Sequence, residues 1–192
     1  MGNESIGNGP RIDEVLPDHD FRAAYEVRIH APVQVVYGCL LRFDFSDVWL
    51  VRFLMSLRSG KWLPRNRVRG NLLQRLKGTG FVVLTEVPDE ELVIGVAGRF
   101  WRRDGERCMD LTADDFTGFS RSGFAKAAWN FELLADSPES TVLSTETRIK
   151  CFGSAALWKF RLYWSFVGPF SGLMRKAILK RVKTQAESIV AK

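Results

Sequence analysis

The side chains that could do chemistry are few and far apart. His19 and His30 are the only groups whose ordinary pKa lies near neutrality. His19 falls in a stretch rich in Gly, Asn, Asp and Pro, and His30 ends an alternating run beside Ala31-Pro32. The three cysteines, Cys39, Cys108 and Cys151, are scattered and none sits in a CxxC pair. With two histidines they make no metal-ligand set, and an odd count of separated thiols fits a reducing compartment. Gly118-Phe119-Ser120-Arg121-Ser122-Gly123 places serines between glycines but does not fit the G-x-S-x-G elbow. Gly78-Thr79-Gly80 lacks the third glycine and the helix that cradle a phosphate. The adjacent carboxylates Asp114 and Asp115 follow Thr112 in the T-x-x-D pattern of a capping box, which explains them as first-turn helix residues. No catalytic residue, metal or cofactor is therefore expected.

Charge is more informative than any motif. The net charge of +6 is unevenly spread. Arg52, Arg58, Lys61, Arg65, Arg67, Arg69, Arg75 and Lys77 fill Val51–Gly78 without one acid. From Ala155 to Lys192 there are eight more cations against Glu187 alone. The remainder is net acidic, so two basic blocks are set on an acidic body. That polarity suits an anionic partner, such as a phospholipid surface or an acidic ligand, or it simply solvates a helix face and a loop. Nucleic acid is the weaker reading, because no zinc-finger, RNP or homeodomain pattern is present. No apolar run reaches the roughly 18 residues of a membrane span, and the first residues hold no apolar leader core. The expected location is cytoplasmic, with peripheral membrane association kept open.

The elements that must position these residues follow from period. The 192 residues suggest a flexible tail over 1–19 and one domain over 20–192. Asp20–His30 alternates with Phe21, Ala23, Tyr25, Val27 and Ile29 on one face, a half-buried strand. Pro32 suits a helix start, and Val33–Arg42 carries Val36, Tyr37 and Leu40 on one side. A second short helix is expected over Val48–Leu57, then a basic loop with some strand near Asn71–Leu76. Gly80–Val87 and Glu91–Phe100 read as a hairpin about Pro88-Asp89-Glu90. Phe124–Leu134 and Thr141–Cys151 alternate again. From Leu173 the apolar spacing of three and four marks a helix, with Arg175, Lys176, Lys180 and Lys183 placed off its stripe. Upstream, Gly168-Pro169 should kink or interrupt that helix.

This order, together with the Ala31-Pro32 helix start, the Phe43-Asp44-Phe45 segment and the closing helix behind Thr145-Glu146-Thr147-Arg148, resembles the START-like (SRPBCC) superfamily. Gly98-Arg99-Phe100-Trp101, Ala127-Ala128-Trp129-Asn130-Phe131 and Pro169-Phe170-Ser171-Gly172 look like a bacterial branch of it. The resemblance covers about residues 20–190. It implies an α+β helix-grip fold: a curved antiparallel sheet of about six to seven strands around a long C-terminal helix, with two short helices after the first strand. It also implies an elongated cavity between sheet and helix that holds a hydrophobic molecule. The residues placed there are Arg99, Trp101, Trp129, Phe131, Thr145, Thr147, Trp158, Leu162 and Phe166. Arg99 could hold a carboxylate or phosphate through paired N–H bonds, or pair with a surface acid. Three functions stay open: binding or transport of a hydrophobic small molecule, a polyketide-cyclase-like enzyme that works by positioning, and a peripheral membrane protein that uses the two basic segments.

Overall fold

Alternating sequence builds the centre of the molecule. The computed structural model describes residues 11–43, 72–76, 78–102 and 106–191. Strands β1 (Phe21–Ile29), β2 (Phe81–Val87), β3 (Glu91–Gly98), β4 (Ala125–Ser137) and β5 (Ser140–Cys151) form one sheet. Its order is β1-β5-β4-β3-β2, antiparallel throughout. Helix α1 (Ile12–Val15) precedes β1, α2 (Val33–Arg42) follows it, and α3 (Leu72–Leu76) precedes β2. Helix α4 (Ala113–Gly118) lies between β3 and β4, and α5 (Ser154–Val190) closes the chain. The architecture is the expected α+β helix grip.

Register decides what faces the long helix. Tyr25 pairs with Thr145, Thr147 with Trp129, and Trp129 with Ile94. A period of two therefore puts Tyr25, Val27, Leu143, Thr145, Thr147, Trp129, Phe131 and Ile94 on one face. The main core joins Ile29, Phe131 and Leu143 of that face to Val36 and Leu40 of α2 and Ile178, Leu179 and Val182 of α5. Register shifts at Val83/Thr85 and Ala135/Ser137 mark bulges, which bend a strand and raise its twist.

Four expectations are corrected. Five strands pair among the described residues, against about six to seven expected, and beyond Gly98 only an isolated bridge to Arg107 adds to the ladder. Leu72–Leu76 is a helix instead of part of a strand: Leu72 and Leu76, four apart, both bury against Leu92 and Ile94. The supposed tail is folded from Arg11 onward. Ile12 and Leu16, also four apart, pack on Val93, Phe116 and Ala128 on the sheet face away from α5. Arg148 further ties this segment through Asp13 (2.5 Å) and the Leu16 carbonyl (3.3 Å). Finally, α5 runs unbroken through Pro169 for 37 residues. The N–H that proline lacks would have met the Ser165 carbonyl; Ser165 and Pro169 are both exposed, so water can serve that carbonyl. The expected second helix over Val48–Leu57 lies outside the described residues, as does nearly all of the first basic block.

Ile12 tests the N-terminal docking. Because it is fully buried, Ile12→Ala should lower stability to urea unfolding by about 2–4 kcal/mol. A change under about 0.5 kcal/mol, typical of a surface site, would mean that the segment does not pack as described.

Candidate functional site

A buried cation is the unusual group between sheet and helix. Arg175, expected on the solvent side of α5, is only 5% exposed and shares its face with Phe160, Gly172, Ile178, Leu179 and Val182. Gly172 makes this possible. The Tyr25 hydroxyl packs where a Cβ at residue 172 would stand, so strand and helix approach more closely there than a side chain would permit.

The Arg175 guanidinium is held at its Nη atoms. Nη1 donates to Ser171 Oγ (2.7 Å) and Nη2 to Thr147 Oγ1. The guanidinium carbon lies 5.4 Å from the centre of the Trp129 ring, within cation–π range. Nε is buried and has no hydrogen-bond acceptor among the described residues. No carboxylate pairs with Arg175 among the described residues. Burial pushes its pKa down to about 10. Arg175 is thus charged in both folded and unfolded chains at neutral pH, and its site costs roughly 3 kcal/mol, relieved only above about pH 10. An anion placed at Nε would offset that cost.

The aromatic neighbours of Arg175 are held by hydrogen bonds and ring contacts. Thr145 Oγ1 accepts from Trp129 Nε1 (2.5 Å) and donates to the Asn130 carbonyl (2.7 Å), which fixes the indole. Trp129 and Phe131 rings lie 4.9 Å apart. Four of the expected residues, Trp129, Phe131, Thr145 and Thr147, therefore come together on the sheet face under α5. Trp101 lies elsewhere, 6.4 Å from Phe160, in an aromatic cluster with Phe21, Phe100 and Trp164 near the start of α5.

The other expected residues are not in the grip. Arg99 donates to the Gly123 carbonyl (3.2 Å) and to Glu106 (3.3 Å), and covers the Phe124 ring at 4.2 Å. Its guanidinium is engaged by local partners, including the surface-acid pairing allowed by the sequence. Trp158, Leu162 and Phe166 lie on the outer face of α5, at 66%, 52% and 69% exposure. The inward stripe runs through Ala156, Phe160, Tyr163 and Trp164 instead. Trp158 precedes Phe160 by two residues, about 200° around a helix, so choosing one set excluded the other. The sequence does not mark Arg175 as a site residue, because a charged side chain ordinarily signals solvent. The signal available was its position three after Gly172 and three before Ile178.

The opposite face of the sheet carries a second polar system. Glu146 takes Arg22 in a two-pronged bridge (2.7 and 2.8 Å) and Arg148 Nε at 2.6 Å. Asn130 donates to Glu91 and accepts from the Glu146 N–H, both at 2.6 Å. An open cleft of about 360 Å³ is lined by Arg22, Glu26, Asn130, Glu132, Ser144 and Glu146 among others. Burial raises the pKa of Glu132, with Glu91, Glu146 and Asp13 adding to the effect, while the Ser144 hydroxyl (3.1 Å) opposes it. For Glu146 burial pushes the same way, but the hydrogen bonds from Arg22 and Arg148 win and hold its pKa low. No helix among the described residues is long and apolar enough to cross a membrane.

A strand, a helix, antiparallel hairpins and a long helix laid across one sheet face make up a helix-grip fold. No family model and no curated protein matches the sequence. Solved structures with a similar course include a conserved protein from Geobacillus kaustophilus, 14% identical over 88% of this chain and 96% of that one, with a TM-score of 0.43. Protein MLL2253 from Mesorhizobium loti is 12% identical over 88% and 98%, with a TM-score of 0.42. The Zhui aromatase/cyclase from Streptomyces sp. R1128 is 14% identical over 88% and 95%, with a TM-score of 0.29.

Two stability measurements separate the polar systems. Arg175→Met should leave urea stability unchanged or raise it by about 1–3 kcal/mol, whereas Arg148→Met, which breaks a satisfied buried network, should lower it by about 3 kcal/mol. Comparable losses in both would mean that Arg175 is a structural group. The folded-state pKa of Glu132 is raised, so ionising it opposes folding above its unfolded value. Glu132→Gln should accordingly stabilise the protein at pH 7, and the gain should shrink as pH falls towards 4; a gain that grows on acidification would reverse the assignment.

Proposed function

We propose that the protein binds an elongated apolar molecule in the grip between the sheet and α5, with an anionic oxygen of that molecule seated on Arg175. The observation that carries this reading is the buried guanidinium with an orphaned Nε and no carboxylate partner among the described residues. A buried charge kept at a stability cost marks a candidate functional group. Trp129 and Phe131 supply flat apolar walls, and Thr145 and Thr147 supply the few fixed polar atoms typical of small-molecule sites. Trp101 sits apart from these residues, in the packed cluster about Phe160 near the start of α5. A carboxylate, sulfonate or phenolate all meet the requirement at Arg175, so the class is an amphiphile with an apolar body and one acidic end.

The same residue supports a second, catalytic reading of the cyclase-like type. A cation fixed in a dry site stabilises an enolate oxygen as well as a carboxylate, and it needs no nucleophile. Under that reading Arg175 acts on a polyketide-like chain folded against Trp129.

Organic extraction of the purified protein, followed by mass spectrometry, should recover an apolar acid. Displacement by the anionic dye anilinonaphthalene sulfonate should be weakened roughly tenfold or more in Arg175→Met. An extract without any apolar molecule, together with unchanged dye affinity in that variant, would remove the proposal. Recovery of a chemically altered product from an added poly-β-keto chain would favour the catalytic reading.

A further inference from the structure

The outer face of α5 carries a stripe that the grip does not use. Trp158, Leu162, Phe166 and Phe170 follow one another at four-residue steps, and Leu173 comes three later. All five are exposed, from 45% at Phe170 to 69% at Phe166. At 1.5 Å per residue the stripe is about 22 Å long. Scattered single apolar residues on a surface need no explanation, but a continuous row with three aromatic rings does.

Cations line this row. Lys159, Arg161, Lys176 and Lys180 are exposed, and none of them pairs with a carboxylate among the described residues. From Ser154 up to Glu187 the helix holds no acid at all. We infer that this face of α5 docks in the interface of an anionic lipid bilayer, the rings entering the acyl boundary while the lysines and arginines meet the headgroups. A helix with Trp, Phe and Leu on one side and Lys and Arg beside them lies in the plane of such an interface. Each cation near the surface adds about 1 kcal/mol of attraction and the rings add apolar burial. A second copy of the chain fits less well, because two such faces would bring four like charges from each helix together. The stripe shares no residue with the Arg175 site.

Co-sedimentation of the full chain with vesicles tests the inference. Phosphatidylcholine–phosphatidylglycerol vesicles should pellet the protein, pure phosphatidylcholine vesicles should pellet little, and added salt should weaken the binding. The double variant Leu162→Ser/Phe166→Ser should bind roughly tenfold or more weakly, and so should Lys159→Glu/Arg161→Glu. Both pairs are exposed, so circular dichroism and thermal melting should match the parent. Tryptophan emission should shift to the blue on binding, and Trp158→Phe should diminish that shift while leaving sedimentation nearly unchanged. The inference is overturned if anionic vesicles fail to pellet the parent, if either double variant binds like the parent, or if sedimentation equilibrium shows a dimer that Leu162→Ser/Phe166→Ser dissociates.

Discussion

The contact between Tyr25 and Gly172 sets the orientation of everything else. The phenol of a strand residue reaches the backbone of α5 where no Cβ intervenes. A straight helix crossing a twisted sheet can touch it closely over only part of its length, so the position of that touch fixes the rotation of the helix. Once Gly172 faces the sheet, Arg175 and Ile178 follow at three-residue steps and must also face it, while Leu173 faces out. A side chain at 172 would displace Tyr25 or lift the helix, and the guanidinium would then lose Thr147 and the Trp129 ring. One glycine thus decides which cation enters the core.

The two faces of the sheet treat charge in opposite ways. On the α1 side, Glu146 answers Arg22 and Arg148, Asn130 bridges Glu91 to the Glu146 backbone, and Arg148 also holds the N-terminal segment. Nearly every buried polar atom there has a partner, and such closed networks rigidify and specify a packing arrangement. On the α5 side, Arg175 has hydroxyl and aromatic neighbours but no negative charge among the described residues. Neutral acceptors do not repay the desolvation of a guanidinium, which is why its pKa is held down. The contrast lies between two charged sites a sheet's thickness apart in one molecule. It therefore does not reflect a general tolerance of the fold for buried charge.

Much of the fold was legible because strand alternation is a local signal. The limits of β1, β3 and β5, the helix over Val33–Arg42 and the capping box at Thr112 and Asp115 all follow from spacing within a few residues. Where two-residue parity placed side chains, as at Trp129, Phe131, Thr145 and Thr147, the structure brings them onto one face. The failures came from α5 and from residues 11–16. In the first part of α5 apolar residues occur on both sides, so periodicity offers Trp158–Leu162–Phe166 and Phe160–Trp164 as equivalent faces. Only the contact with Phe21 and Phe100 chooses between them. Arg175 was invisible for a different reason: nothing local distinguishes a cation held under Trp129 from one in water. The Ile12 and Leu16 pair is short and lies among Gly, Asp and Pro, where two apolar residues carry little weight until a sheet face is present to receive them.

That two-sidedness of α5 is itself a physical statement. A helix apolar on one stripe rests on a domain, and one apolar all round is enclosed. The first half of α5 is of neither kind. Phe160, Tyr163 and Trp164 meet the sheet side, while Trp158, Leu162 and Phe166 meet solvent with Lys159 and Arg161 between them. Solubility alone would be served by polar residues at the outer positions at no cost to the grip, since none of the three touches the core. Pro169 points the same way: it removes a hydrogen bond on the exposed side of the helix, where an unsatisfied carbonyl can be hydrated in water or at a headgroup but would be expensive within a protein core. The outer face therefore suits a wet, charged and partly apolar surrounding, of the kind the inferred bilayer interface would offer and a closed protein core would not.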